Sequence, residues 1–177
     1  MKTITLIITL LFSSHCLANA ASFKDGSILK GYGKHASVKQ DLVLNNNAVF
    51  KVVFDTSEQG SEDEVNGRVN SVARFFNMHA ANGILPENIQ LALVVHGKAS
   101  FDLLNNDNYQ AKYSKNNPND ELLSLLLKNK VRIYLCGQSA AYYKIDNTNL
   151  HQGVHMALSA MTANAVLQRE GYTLNPF

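Results

Sequence analysis

The sequence predicts an α/β fold in which a mostly parallel sheet is covered by helices on both faces. Short runs of aliphatic and β-branched residues recur along the chain, and each run ends in a glycine or a polar turn, a pattern typical of buried strands. Between these runs lie segments whose apolar residues recur at helical spacing. Strands that alternate with helices usually pair in parallel, and the helices then cover the two faces of the sheet.

The first twenty residues have the pattern of a secretory signal peptide. Lys2 gives a positively charged start, residues 4–12 form a short apolar run, and residues 17–20 end in an Ala-Asn-Ala cleavage site. We therefore predict that residues 1–20 are removed, that the mature chain begins at Ala21, and that the protein is exported to the periplasm.

The remaining length is typical of one domain, which we place at residues 48–177 behind an N-terminal arm at residues 21–47. The arm has little periodicity and several glycines. Charges nearly balance, with 16 basic and 14 acidic residues and no basic stripe, so nucleic acid is not an expected partner. No apolar stretch is long enough to cross a membrane, which predicts a protein without a membrane span.

The first predicted strand covers residues 48–55. A capping box at residues 61–64, Ser-Glu-Asp-Glu, predicts the start of the first helix. The helix then continues to a stop at Gly83, and its apolar stripe consists of Val65, Val69, Val72 and Phe76.

The second predicted strand, residues 89–95, runs directly into His96. Residues 98–116 are polar and rich in asparagine, and they predict a short helix or strand followed by a surface loop. Asn-Pro at residues 117–118 predicts a helix start, and the leucine-rich segment 122–127 continues that helix. The third predicted strand covers residues 131–135.

The last part of the domain begins with a predicted turn around residues 142–149 and a short fourth strand at residues 154–157. Ser159 is expected to cap a helix that ends at Gly171. The residues that we expect to face inward from this helix are Met161, Ala165 and Val166. An edge strand is predicted at residues 172–177.

Cys136 is the first candidate functional residue. The only other cysteine, Cys16, lies in the predicted signal peptide, so the mature chain would carry a single thiol at the end of its third strand. Such a thiol forms an intermolecular disulfide, reacts as a nucleophile, or is buried and inert. The amides of Gly137 and Gln138, which open the next turn, are expected to stabilise a Cys136 thiolate.

His96 is the second candidate, because it ends the strand that precedes the strand of Cys136. The carboxyl ends of parallel strands share one edge, so His96 either stabilises the thiolate and moves a proton or makes a plain hydrogen bond to the backbone. His151 and His155 are four residues apart, but Gly153 interrupts a helix there, and we predict no metal site. We also predict no cofactor, since no glycine-rich phosphate loop follows the first strand.

Several of these segments together resemble the DsrE/DsrF-like family, most closely its exported, single-domain branch. They are Val-Val-His-Gly at residues 94–97, Asn-Pro at 117–118, Val-Arg-Ile-Tyr-Leu-Cys-Gly-Gln-Ser at 131–139, and Gly-Tyr at 171–172. The resemblance covers roughly residues 48–177. It implies a mostly parallel five-stranded sheet with flavodoxin-like layering and assembly into homo-oligomers.

The resemblance also implies a function. In the relay proteins of this family a cysteine at a strand end carries sulfur as a persulfide and passes it between partner proteins, a role that falls on Cys136 here. Gly137 and Gln138 would line that site, and a sulfur donor or acceptor protein would be the partner. The alternative is a non-catalytic oligomeric module that binds a small ligand or a partner, with Cys136 in a structural role.

Overall fold

Five parallel strands form one sheet in the part of the chain that the computed structural model describes, residues 22–175. The strands are β1 (Phe50–Thr56), β2 (Ile89–Val95), β3 (Arg132–Cys136), β4 (His155–Ala157) and β5 (Thr173–Asn175). Their order across the sheet is β4-β3-β2-β1-β5, and each neighbouring pair is parallel. The predicted fold class is therefore confirmed. The predicted signal peptide, residues 1–20, lies outside the described residues.

Helices cover both faces of this sheet. They are α1 (Gly67–Ala81), α2 (Asn106–Tyr113), α3 (Asp120–Lys128), α4 (Gly137–Tyr143) and α5 (Ala160–Arg169), with 3-10 helices at Pro86–Asn88, Gly97–Leu103 and Asn147–Asn149. Helices α1 and α3 pack into the larger core cluster, whereas α5 packs into a smaller cluster on the opposite face. No helix within residues 22–175 has the length and apolarity needed to cross a lipid bilayer.

The central strand β2 is buried on both of its faces. Leu91, Leu93 and Val95 belong to the larger cluster, and Ala92 and Val94 belong to the smaller cluster beneath α5. This alternation follows from the two-residue period of a strand, in which successive side chains point to opposite faces. It also decides the face on which the side chains at the strand ends lie.

The predicted capping box at residues 61–64 is wrong, and α1 begins later. The Glu64 amide donates to the carbonyl of Ser61 within a turn, and the helix starts at Gly67. Asn66 is the actual N-cap, and its side-chain oxygen accepts from the amide of Arg68 at 2.8 Å. Asn66 rather than Ser61 is the N-cap because Asn66 is buried and its side-chain amide also donates to Asp102 at 2.6 Å. Ser61 is exposed and makes no such hydrogen bond to Asp102.

Two further corrections concern the helices that flank β4. Residues 137–143 form α4 directly after β3, so Tyr142 lies in a helix and not in the turn predicted at residues 142–149. In α5 the inward residues are Ala160, Ala163 and Leu167, whereas the predicted inward residues Met161, Ala165 and Val166 are exposed. Ser159 does cap α5, since it accepts from the amide of Thr162, and small inward alanines let α5 lie close to the sheet.

The described part of the arm, residues 22–47, packs against the domain. Leu29 is fully buried in the larger core cluster. The side chain of Asn77 in α1 clamps it, because Asn77 Oδ1 accepts from the Leu29 amide at 2.9 Å and Asn77 Nδ2 donates to the Leu29 carbonyl at 3.0 Å. The first half of the arm is thus part of the core.

Candidate functional site

The carboxyl ends of β1, β2 and β3 lie side by side at one edge of the sheet. Val95 of β2 is in register with Leu135 of β3, so the next residues, His96 and Cys136, lie beside each other. Cys136 belongs to the small core cluster beneath α5, together with Val94 of β2. Since side chains two residues apart share a face, His96 is on the α5 face as well.

The Cys136 thiol is almost buried, with 6% of the residue exposed. Burial alone raises the pKa of this thiol, but hydrogen bonds from the amide and hydroxyl of Ser139 and from the amides of Ala160 and Gln138 outweigh it. The net effect is that the pKa of Cys136 is lowered. The sulfur does not cap the first turn of α4 with a regular hydrogen bond. The hydrogen bonds that it accepts from these donors are weak, because sulfur is a weak acceptor.

Ser139 connects the ends of two strands through its hydroxyl. Its oxygen accepts from the amide of Gly97 at 2.9 Å, directly after β2. The same hydroxyl donates towards Cys136, one turn earlier in the chain, and lowers the pKa of the thiol. Because the Gly97 amide occupies a lone pair of the Ser139 oxygen, the hydroxyl hydrogen is left for the sulfur.

Gly137 and Gln138 form the turn that was predicted to line the site. A Cβ atom on Gly137 would lie 2.6 Å from the Ala157 carbonyl oxygen. Glycine is therefore needed here, because the backbone at the end of β4 passes too close for a side chain. Gln138 is exposed, and its side chain donates to the Leu158 carbonyl at 3.2 Å. The predicted contacts of these two residues with a bound sulfur species stay a prediction.

The ring of His96 is bonded to a carboxylate, not to the backbone. His96 Nε2 lies 2.9 Å from Oδ1 of Asp55, with 35% of the His96 side chain exposed. The second oxygen of Asp55 accepts from Nδ2 of Asn164 in α5 at 2.8 Å. The residues at this edge therefore form a connected row, from Asn164 through Asp55 to His96, next to Cys136.

Sequence reasoning did not identify Asp55 or Asn164. Asp55 is the last residue of the first predicted strand, so the argument that placed Cys136 at the edge of the sheet could also have placed Asp55 there. Asn164 is 109 residues from Asp55, and nothing in the local sequence indicates that α5 turns this side chain towards β1.

Large apolar side chains are exposed beside the thiol. Leu158 is 72% exposed and Met161 is 79% exposed. Both lie in the segment that contacts the site, since the Leu158 carbonyl accepts from Gln138 and the residue before Met161 is Ala160, whose amide faces the sulfur. We define these two exposed side chains, Leu158 and Met161, as the apolar rim.

The other histidines considered above lie outside this site. His151 is buried, and its ring nitrogens bond to the Ser124 hydroxyl and the Gln152 carbonyl, both at 2.9 Å. His155 lies against the ring of Tyr134. Across the described ranges, no three His, Cys, Asp or Glu side chains are grouped to hold a metal ion. An open groove of about 500 Å³ beside His151 contains none of the residues of the thiol site.

Comparisons with known proteins agree with this architecture. A model of the DsrE/DsrF-like family matches residues 48–176. A protein of unknown function from Methanobacterium thermoautotrophicum, MTH1491, is similar in structure with a TM-score of 0.56 and 18% identity, covering 72% of this chain and 99% of that chain. The ychN protein from E. coli has a TM-score of 0.52 and 19% identity, covering 73% of this chain and 100% of its own.

At these identities the two solved structures support the fold alone. None of the curated proteins compared with the chain matches its sequence.

Proposed function

Because this chain belongs to the DsrE/DsrF-like family, we propose that it carries sulfur as a persulfide on Cys136. Membership of the family indicates a function related to sulfur relay. The observation that supports the finer proposal is the environment of the thiol at the carboxyl end of β3, where hydrogen-bond donors lower the pKa of Cys136 despite its burial. A lowered pKa increases the fraction of the thiol that is present as the nucleophilic thiolate at a given pH.

The proposed loading reaction needs no external oxidant. The Cys136 thiolate attacks the outer sulfur of a donor persulfide, a new S–S bond forms, and the donor departs as a thiolate with the electrons of the broken bond. Discharge is the same exchange in reverse, in which an acceptor thiolate attacks the outer sulfur and the Cys136 thiolate leaves. A thiol of low pKa is a good leaving group, so one residue serves both steps.

His96 supports this proposal by its position. Its Nε2 is bonded to Asp55, which leaves Nδ1 as the nitrogen available to a group bound at the edge of the sheet. A histidine there is suited to take the proton of an incoming acceptor thiol and to return it to a departing thiolate.

The experiment that tests the proposal follows sulfur on and off the protein. We expect that incubation with a small-molecule persulfide adds one sulfur atom to the wild-type chain and that a free thiol then removes it, both detected by intact mass. The C136S variant should stay folded and accept no sulfur. Sulfur uptake by C136S equal to that of the wild type would refute the role of Cys136.

The alternative function, a non-catalytic module that binds a small ligand or a partner, is favoured by one observation, the low exposure of Cys136. In that case the thiol is a small apolar group in the cluster beneath α5. Labelling with a thiol reagent separates the two functions. A carrier thiol reacts in the native protein, whereas a structural thiol reacts only after denaturation.

We further propose that the protein forms homo-oligomers, as the resemblance implies, and that the apolar rim takes part in the contact. The leucine-rich helix α3 does not offer an apolar surface for this contact, because its residues Leu122, Leu123 and Leu126 are fully buried. Exposed apolar side chains such as Met161 are instead what a contact would cover. Sedimentation of the wild type as a monomer at micromolar concentration would contradict this. Export to the periplasm is proposed from residues 1–20 alone.

A further inference from the structure

We propose that Asp55 and Asn164 are positioning residues that hold His96 in the tautomer whose Nδ1 is free to accept a proton beside Cys136. The inference rests on the proposed sulfur transfer for its purpose, but the tautomer itself is a property of the folded protein. Both residues are polar, and neither belongs to a core cluster.

The first step of the argument is the pair of contacts on the Asp55 carboxylate. His96 Nε2 is 2.9 Å from Oδ1, and Asn164 Nδ2 is 2.8 Å from Oδ2. A carboxylate only accepts hydrogen bonds, so both nitrogens must carry the hydrogens that point at it. In the neutral ring of His96 the proton is therefore on Nε2, and Nδ1 has the lone pair.

The second step concerns the orientation of the Asn164 amide. Its oxygen Oδ1 is buried and has no hydrogen-bond partner among the described residues. Turning the amide over would place an oxygen against the carboxylate, so Nδ2 must face Asp55 even though Oδ1 is left without a donor. An unsatisfied buried oxygen does not stabilise the fold, and its retention points to a role at the site.

The third step is the place of His96 in the sheet. Strand β2 lies between β1, which carries Asp55, and β3, which ends at Cys136. With Nε2 occupied on the β1 side, the remaining nitrogen of a ring that is 35% exposed is the one left for a group bound next to the thiol. An acceptor thiol bound there would pass its proton to Nδ1, attack the outer sulfur of the Cys136 persulfide as a thiolate, and release the Cys136 thiolate.

This arrangement predicts the consequence of exchanging one oxygen for an amide. In an Asp55→Asn variant we expect the oxygen of the new side chain to face Asn164 Nδ2. An amide nitrogen can donate a hydrogen bond but cannot accept one, so the new NH₂ group cannot take that place. Its NH₂ group then points at His96 Nε2, which must become an acceptor. The proton moves to Nδ1, and the ring can no longer take a proton from the acceptor thiol.

The experiment measures the ¹⁵N chemical shifts of the His96 ring, which report the nitrogen that carries the proton, and the rate of sulfur discharge to a small thiol. We expect the proton on Nε2 in the wild type and on Nδ1 in D55N, with discharge slowed about a hundredfold, the lower end of general acid–base effects. An Asp107→Asn variant, which changes an exposed aspartate in α2, should match the wild type in both measurements.

A double variant, D55N with N164D, gives the sharpest test. The carboxylate at position 164 accepts from the NH₂ group of the side chain at position 55. The oxygen of that same side chain then faces His96, so the ring proton returns to Nε2. We expect this variant to regain the wild-type ring shifts and most of the discharge rate, a rescue that a merely structural role does not predict.

The outcomes separate this inference from the proposed function. A wild-type proton on Nδ1, or the same tautomer in the wild type and D55N, overturns the positioning role whatever Cys136 does. A tautomer change with an unaltered discharge rate also overturns it. If the wild-type thiol takes up no sulfur at all, the sulfur-carrier function fails, and the ring shifts still decide whether Asp55 and Asn164 position His96.

Discussion

Ser139 carries the most direct single-residue influence on the Cys136 thiol. Its hydroxyl donates towards the sulfur while the Gly97 amide holds its oxygen at 2.9 Å. We expect Ser139→Ala to raise the pKa of Cys136, because a hydrogen bond to a charged group is lost, worth about 1.5 kcal/mol or roughly tenfold in the thiolate equilibrium. Ultraviolet absorbance of the thiolate, followed against pH, measures the change.

The control for this variant is Ser71→Ala. Ser71 is a helical serine in α1 whose hydroxyl donates to a carbonyl, that of Gly67, far from the thiol. It should leave the titration of Cys136 unchanged. An S139A protein that titrates like the wild type would mean that the backbone amides alone set the pKa of the thiol.

At the scale of single residues, the sequence located Cys136 and His96 at one edge because parallel strands must end together. It did not locate their partners. The Ser139 hydroxyl reaches the sulfur only because residues 137–143 form a helix, and the Asn164 contact depends on the rotation of α5. Both depend on tertiary packing, which local patterns do not specify.

At the scale of elements, the junction of β3 and α4 leaves no room for a side chain at its first helical residue. Helix α4 begins at Gly137, where a Cβ would lie 2.6 Å from the Ala157 carbonyl oxygen. We expect Gly137→Ala to lower the free energy of unfolding by about 1–3 kcal/mol, the usual cost of forcing extra volume into a packed region. Denaturant unfolding measures this value.

Gly67 is a matched control, since it is the first residue of α1 as Gly137 is of α4, and a Cβ there meets nothing within 4 Å. Gly67→Ala should be neutral or stabilising by up to about 1 kcal/mol. Equal stability changes in the two variants would show that the close approach at Gly137 is relieved without cost.

The starts and the buried faces of the helices were the hardest features to predict from the sequence. The apolar stripe of α1 was correct at Val69, Val72 and Phe76, because burial follows helical spacing. Its start was wrong, because two capping signals lay close together and only tertiary hydrogen bonds to Asp102 favoured Asn66. Helix α5 was found from the Ser159 cap, yet its inward face was misassigned, since alanines rather than the larger Met161 and Val166 meet the sheet.

For the whole molecule, the arm is an integral part of the core although the family match begins at residue 48. Leu29 is fully buried, whereas Leu42 in the same arm is 80% exposed. We expect Leu29→Ala to lower the free energy of unfolding by about 2–5 kcal/mol, from lost apolar burial and the cavity left behind. Leu42→Ala should change it by less than about 0.5 kcal/mol.

Thermal or urea unfolding of the two arm variants checks this expectation. A Leu29→Ala protein as stable as Leu42→Ala would show that the arm rests on the domain without contributing to its core. The sequence alone did not separate the two leucines, because the arm has no periodicity from which to assign a buried face.

The parallel sheet and the order of its elements followed from the alternation of short apolar runs with helical segments, and the edge that holds Cys136 followed from that topology. The central claim is that Cys136 carries sulfur as a persulfide, and the mass of the peptide that contains Cys136 tests this claim most directly. The protein is isolated with free thiols blocked, and the peptide is mapped before and after reduction. We expect a fraction of the peptide to carry one added sulfur atom that reduction removes. A peptide that carries only the unmodified thiol, even after incubation with a persulfide donor, would contradict the claim.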